Sequence, residues 1–323
     1  MTLTLSVLDQ SPVADGTDAA QAVRDTVRLA RAVDPLGYRR YWVAEHHGSA
    51  TFAGTSPAVQ AAVLLQHTRH LRIGTGGVLL PRHDPVQVAE TFHLLADLHP
   101  GRVDLGLGRA GGPAFTFPEK VELLRRSLAL LRRARGTGTG PGLWLLGSGT
   151  TAAKLAGQHG IGYCAGHFLS PEASGPALAG VRAANSAAPL ILAVRVFVAT
   201  TTDRAQAQAA DYLLWRSRKD LGAQEPLPRS GQAARHRWSA AECERAEQNR
   251  RAIVVGDPDE VSHQLTGLAD RLGVDEVMVN TLLPDLADRV QTYELLAGAF
   301  RLRHRSADDI DGRLQDEYGS RTR

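Results

Sequence analysis

The chain has 323 residues, of which 43% are hydrophobic and 22% charged, values of an ordinary globular protein that exclude disordered, collagen-like and coiled-coil classes. Its 37 basic and 34 acidic residues are interspersed for a net charge of +3, aromatics are only 5%, and no basic run with stacking residues argues for a nucleic-acid partner. No apolar run approaches the roughly 18 residues of a membrane span and the first residues lack a leader pattern, so a cytoplasmic chain with no membrane partner is expected. Cys164 and Cys243 stand far apart, which excludes a disulfide framework and a cysteine-rich zinc site.

Short apolar runs alternate with segments of helical period. A strand at 3–8 leads to a helix at 19–33, a strand at 40–44 to a helix at 57–66, and a strand at 71–78 to a helix at 85–98. Strands at 103–107, 143–146 and 161–165 precede helices at 118–133, 151–158 and 171–184. A seventh strand at 190–199 precedes a helix at 203–215, and an eighth at 276–280 precedes a helix at 286–300. Several helices begin with proline, which costs no hydrogen bond in a first turn. Eight βα repeats predict an α/β fold, a single (β/α)8 TIM barrel over residues 1–300, with a doubly wound open sheet as the alternative. Residues 216–251, between strands seven and eight, show no strand pattern and an excess of positive charge, with some helix expected after Trp238. They read as an insertion, either a surface elaboration or a mobile lid over the barrel mouth. Residues 301–323 read as a polar tail.

Gly106, Gly108 and Gly111 match GxGxxG after a strand, yet Pro113 and Pro118 delay the next helix and no ribose-binding acid follows, so a dinucleotide site is disfavoured. The glycine run at 136–142 precedes a strand and reads as a linker. His67 and His70 lack a third ligand nearby, so no metal is expected. Gly147, Ser148, Gly149, Thr150 and Thr151 run from a strand into a helix. Hydroxyls and free amides at a helix N-terminus suit an anion, although an ordinary βα turn with a Ser or Thr cap would read the same. Glu45, His46 and His47 close a strand where a barrel places its chemistry, with a hydrogen-bonded loop histidine as the plainer reading. Gly74, Gly76 and Gly77 weaken a strand unless a bulge or a close ligand needs them.

The runs GYRRYWVAEHH (37–47), RIGTGGVLLPRHDPVQVAE (72–90), HPGRVDLGLGRAGG (99–112), LWLLGSGTTAAKLA (143–156) and VVGDPDEVSHQL (254–265) resemble the bacterial luciferase-like, flavin-dependent monooxygenases, above all those of natural-product (antibiotic) pathways. The resemblance implies a usually dimeric TIM barrel that takes reduced FMN from a separate reductase, forms a flavin hydroperoxide with O2 and oxygenates a small organic substrate. It places Glu45 and His46 beside the flavin, with His46 as the catalytic histidine. Gly76 and Gly77 become the bulge under the flavin ring, often with a cis peptide. Arg109 pairs with the phosphate, as do the hydroxyls of Ser148 and Thr151. Gly108 departs from the family, standing where luciferase has a reactive cysteine, so neither aldehyde specificity nor light emission is carried over. Two other readings share the site: a deazaflavin-dependent hydride-transfer enzyme, and a flavin-binding protein without turnover.

Overall fold

The computed structural model describes residues 3–110, 112, 115–135 and 140–304. Gly111 and Pro113, most of the glycine run and the tail from 305 lie outside the described residues. The strands are β1 (Thr4–Asp9), β2 (Arg40–Val43), β3 (Arg72–Thr75), β4 (Val78–Leu79), β5 (Val103–Gly108), β6 (Gly142–Gly147), β7 (Gly162–Gly166), β8 (Leu190–Val198), β9 (Ile253–Gly256) and β10 (Glu276–Asn280). The helices are α1 (Ala19–Val33), α2 (Pro57–His67), α3 (Pro85–Leu98), α4 (Phe117–Arg135), α5 (Thr150–His159), α6 (Pro171–Ala184), α7 (Thr202–Asp220), α8 (Ala240–Arg250), α9 (Pro258–Leu272) and α10 (Leu286–Ala299). All strand pairs are parallel, in the order β1, β2, β3, β5, β6, β7, β8, with β10 bonded to both β8 and β1. Thr4 faces Glu276, which faces Ile191 on its other side, and this closes the sheet into an eight-stave (β/α)8 barrel. None of the described helices is long and apolar enough to cross a membrane.

The barrel interior is layered, because alternate residues of each strand point inward. At the strand starts, Arg40 bridges Asp104 at 2.7 Å and Glu276 at 2.8 Å, Arg72 joins Asp104, and Ser6 donates to Glu276. These buried charges compensate one another and plug the N-terminal end. Above them sits an apolar layer of Leu8, Trp42, Trp144, Cys164, Ile191, Ala193 and Met278. A larger apolar cluster lies between the outer faces of the strands and the helices. Polar side chains return only at the strand ends: Gln10, His46, Arg195 and Asn280.

Every expected strand is present, with two differences of detail. The expected strand 71–78 is broken into β3 and β4 around a cis peptide between Gly76 and Gly77. There the Thr75 hydroxyl donates to Gly106 O at 2.9 Å and accepts from Gly106 N at 3.0 Å, stitching the β3–β5 seam where regular pairing stops. A Cβ at Gly77 would stand 2.8 Å from Gly106 O, so the approach of two backbones, as well as any ligand, excludes a side chain. The second difference is a ninth βα unit, β9 and α9, in the stretch between 251 and 276 where no element was expected. Four residues bonded to β8 alone give too short an apolar run to stand out, whereas α9 carries a full capping box from Asp257 and Glu260 with Pro258 in the first turn.

The expected insertion is resolved into three parts. Helix α7 runs on to Asp220, residues 221–239 form a loop, and α8 starts behind a Ser239–Glu242 capping box, as the helix expected after Trp238. The loop lies on the C-terminal mouth: Leu227 exchanges backbone hydrogen bonds with Val13 and Asp15, and the Thr51 hydroxyl donates to Glu225 O at 2.7 Å. Leu227 is buried in a second apolar cluster with Phe52, Tyr212, Trp215 and Phe197. This cluster ties the loop to α7 and to the loops that follow β1 and β2.

Candidate functional site

At the C-terminal ends of the strands lies a cavity of about 650 Å³. Its wall takes residues from seven staves and includes Glu45, His46, Gly76, Gly77, Arg109, Gly147, Ser148, Gly149 and Thr151. Thr150 is the one expected site residue that does not line it; it is the first residue of α5.

One end of the cavity is formed by the turn from β6 into α5. Helix α5 begins after Gly149, which provides no side-chain cap, so the hydroxyls of Ser148 and Thr151 are not spent on the helix. The turn therefore has no Ser or Thr cap, and its first-turn amides are left without a side-chain partner. Tyr163 donates from behind to Gly147 O at 3.0 Å and holds the turn. At the end of the neighbouring strand β5, Arg109 is exposed and forms no side-chain hydrogen bond or ion pair with the described residues. A guanidinium, two hydroxyls and a helix N-terminus thus share one end.

The other end is built on β2 and the broken strand. Glu45 is buried, and its carboxylate takes the Leu79 amide at 2.8 Å, His47 Nε2 at 2.6 Å and His83 Nε2 at 2.8 Å. Burial alone would raise its pKa, but the hydrogen bonds from His47, Leu79 and His83 outweigh burial and lower it. His46 stacks on Phe52 with ring centroids 4.3 Å apart, and its backbone amide donates to Gly54 O. Its Nε2 stands 3.4 Å from Gln10 Nε2, and its buried Nδ1 has no partner. Burial first, then the charge of Lys219, pushes the His46 pKa down to about 4, so the ring is neutral at pH 7.

Four polar neighbours of His46 and Glu45 escaped the sequence reading: Gln10, His83, Arg195 and Lys219. Arg195 left a trace, a charged residue inside the apolar run LILAVRVFV on the inward-facing alternation. His83 and Lys219 come from the turn after β4 and from the last turn of α7, and reach the site only through tertiary folding. Between the two ends, Leu8, Leu146, Phe168 and Ala193 give an apolar wall. A Cβ at Gly108 would meet nothing nearer than 3.8 Å, and one at Gly149 nothing within 4 Å, so the cavity has room on both sides for a ligand.

The sequence profile of the luciferase-like monooxygenases matches residues 1–276. Among similar chains, YceB of Bacillus subtilis (strain 168) is 34% identical, covering 92% of this chain and 99% of its own. The N-acetyl-S-alkylcysteine monooxygenase of the same organism is 31% identical, covering 91% and 96%. The crystal structure of apo-MsnO8 superposes with a TM-score of 0.83 at 33% identity, covering 94% of this chain and 100% of that one. The closed barrel, the cavity at its C-terminal mouth and these matches lead to one conclusion: the chain belongs to the luciferase-like monooxygenase family and is an oxidoreductase.

Proposed function

We propose that the protein is a two-component flavin-dependent monooxygenase that receives reduced FMN from a separate reductase and uses O2 to oxygenate a small organic substrate. The observation that carries this reading is the polarity of one cavity, with an anion cradle at Arg109, Ser148 and Thr151 and a neutral histidine beside a backbone bulge at the other end. Arg109 and the two hydroxyls would hold the phosphate, with Gly147, Gly149 and Thr150 shaping the turn that presents the first amides of α5. Gly76 and Gly77 would offer bare backbone to a flat ring. Glu45 holds the turn after them in place through Leu79 and His83. His46 would lie at the reacting end as the proton-bearing group. When bound there, reduced FMN would supply the two electrons by which O2 gives one oxygen atom to the substrate and the other to water. The apolar wall between the two ends would limit the water that reaches the reacting group.

The finer assignments are a secondary metabolite as substrate, a homodimer and a lid. The first rests on the sequence runs shared with natural-product enzymes and on the open side of Gly108. The dimer is supported by exposed apolar pairs one turn apart, Val59 and Val63 on α2 and Leu94 and Leu98 on α3. The lid is supported by the position of residues 221–239 on the loops after β1 and β2. The test of the activity is to mix the protein with reduced FMN without oxygen and then admit air. A spectrum distinct from both reduced and oxidised FMN, persisting and then decaying as a substrate is oxygenated, supports the reading. Oxidation as fast as that of free FMN, or tight binding of a reduced deazaflavin in preference to FMN, overturns it.

A further inference from the structure

Arg195 is an unusual resident of a barrel interior. It is 3% exposed, its guanidinium lies between the rings of Phe168 and Tyr212 at 4.8 Å from each, and none of the described carboxylates pairs with it. Its Nη2 donates to Gln10 Oε1 at 3.0 Å and the guanidinium also interacts with the Tyr212 hydroxyl, while its Nε has no partner. A buried cation without a counter-ion is costly, and burial lowers its pKa accordingly.

What the arginine does becomes clear from the direction of its hydrogen bond. A guanidinium can only donate, so the Gln10 amide must turn its oxygen toward Arg195, and its NH2 then points to His46 Nε2, 3.4 Å away. An amide nitrogen can only donate in its turn. The facing Nε2 must therefore be the bare, accepting nitrogen of a neutral ring, and the proton resides on Nδ1. The stack on Phe52 sets the plane of the ring, and in the observed orientation Nε2 faces Gln10. Its tautomer is the remaining freedom, and the donor-only end of the chain settles it.

We propose that Arg195 and Gln10 are positioning residues that hold His46 as the Nδ1–H tautomer, with Nε2 kept as the accepting nitrogen under the Gln10 amide. The lone pair through which His46 takes up a proton is then that of Nε2, which Gln10 covers, while the proton on Nδ1 lies buried. The charged and titratable groups around the ring are Lys219, Glu45, His47 and Arg195; the cations Lys219 and Arg195 oppose a second proton, and Glu45 favours one. This inference rests on His46 being the group beside the ligand, but its test needs no ligand.

The experiment is the imidazole nitrogen–proton correlation spectrum of the full-length, flavin-free chain at pH 7, with His46 assigned by comparison with His46→Gln. The expected wild-type pattern is a protonated Nδ1 and a bare Nε2. Gln10→Glu places a carboxylate between Arg195 and the ring, and should move the proton to Nε2. Arg195→Met should give a mixture of tautomers, and Arg195→Lys should recover the wild-type pattern, which a purely structural role would not produce. A wild-type proton on Nε2, or an unchanged pattern in Gln10→Glu, overturns the proposal. If Arg195→Met does not fold, Gln10→Glu still decides, because residue 10 lies on the cavity wall.

Discussion

The Glu45 carboxylate accepts the backbone amide of Leu79 at 2.8 Å, which ties the end of β2 to the segment that follows the cis Gly76–Gly77 peptide. The same carboxylate holds His47 and His83, so one buried anion joins two pieces of chain, 45–47 and 79–83. Glu45→Gln keeps one acceptor but puts an NH2 group against donors. It should cost about 1–3 kcal/mol of unfolding free energy, the scale of an unsatisfied buried donor. Urea denaturation monitored by circular dichroism checks this, and a loss below about 0.5 kcal/mol would show that the carboxylate is not the organiser.

The two ionisable groups of this end set an acid limit. The folded His46 takes a proton only near pH 4, whereas the unfolded ring takes one near 6.5, so the unfolded chain binds more protons between those values. Stability from this group is therefore full above pH 6.5 and falls as pH drops, by at most ~1.4 kcal/mol per pH unit. Glu45, with its pKa lowered on folding, adds a further loss below the ordinary carboxylate range. Urea unfolding at pH 7 and pH 5 should show a smaller drop for His46→Gln than for the wild type; equal drops would mean that His46 titrates normally.

Gly108 separates cavity shape from folding. A Cβ there meets only Leu79 Cδ2 at 3.8 Å and Val78 O at 4.0 Å, so Gly108→Val should change the unfolding midpoint little while it occupies ligand space. Affinity for reduced FMN or for the substrate should fall about tenfold or more, roughly 1.4 kcal/mol. Unchanged affinity for both would place the ligand elsewhere in the barrel mouth.

The loop at 221–239 gives a direct test of closure. The Arg229 side chain is 71% exposed and its bond to Ser230 is open to trypsin. If the loop tightens over an occupied cavity, reduced FMN together with substrate should slow cleavage there several-fold. Cleavage at the same rate with and without ligands would leave the loop a fixed wall.

The sequence showed the barrel because its eight staves alternate with long amphipathic or apolar helices, and because motifs at strand ends have a fixed meaning in this architecture. Glu45, His46, Gly76, Gly77 and the 147–151 turn stood out for that reason, as residues at strand ends, whereas Arg109 was named only through the family resemblance. What was not legible is what those residues touch. That Glu45 is held by His83, or His46 by Gln10, depends on loops that cross between staves, and no local spacing encodes it. The unit β9–α9 was hidden because a strand of four residues outside the barrel wall lacks the long apolar run of a stave. The expected lid contains Leu227, whose burial among Phe52 and Trp215 makes part of that segment a packed wall.

The central claim is that this cavity holds FMN with its phosphate between Arg109 and the start of α5. Its most direct test is an anaerobic titration of the wild type and of Arg109→Ala with reduced FMN. Loss of charged hydrogen bonds to a phosphate should weaken binding by about 1.5–3 kcal/mol, roughly 10- to 150-fold, and Arg109→Lys should recover only part, since an ammonium cannot reproduce a two-pronged contact. Equal affinity in the wild type and Arg109→Ala would contradict the placement of the phosphate, and with it the orientation of the whole site.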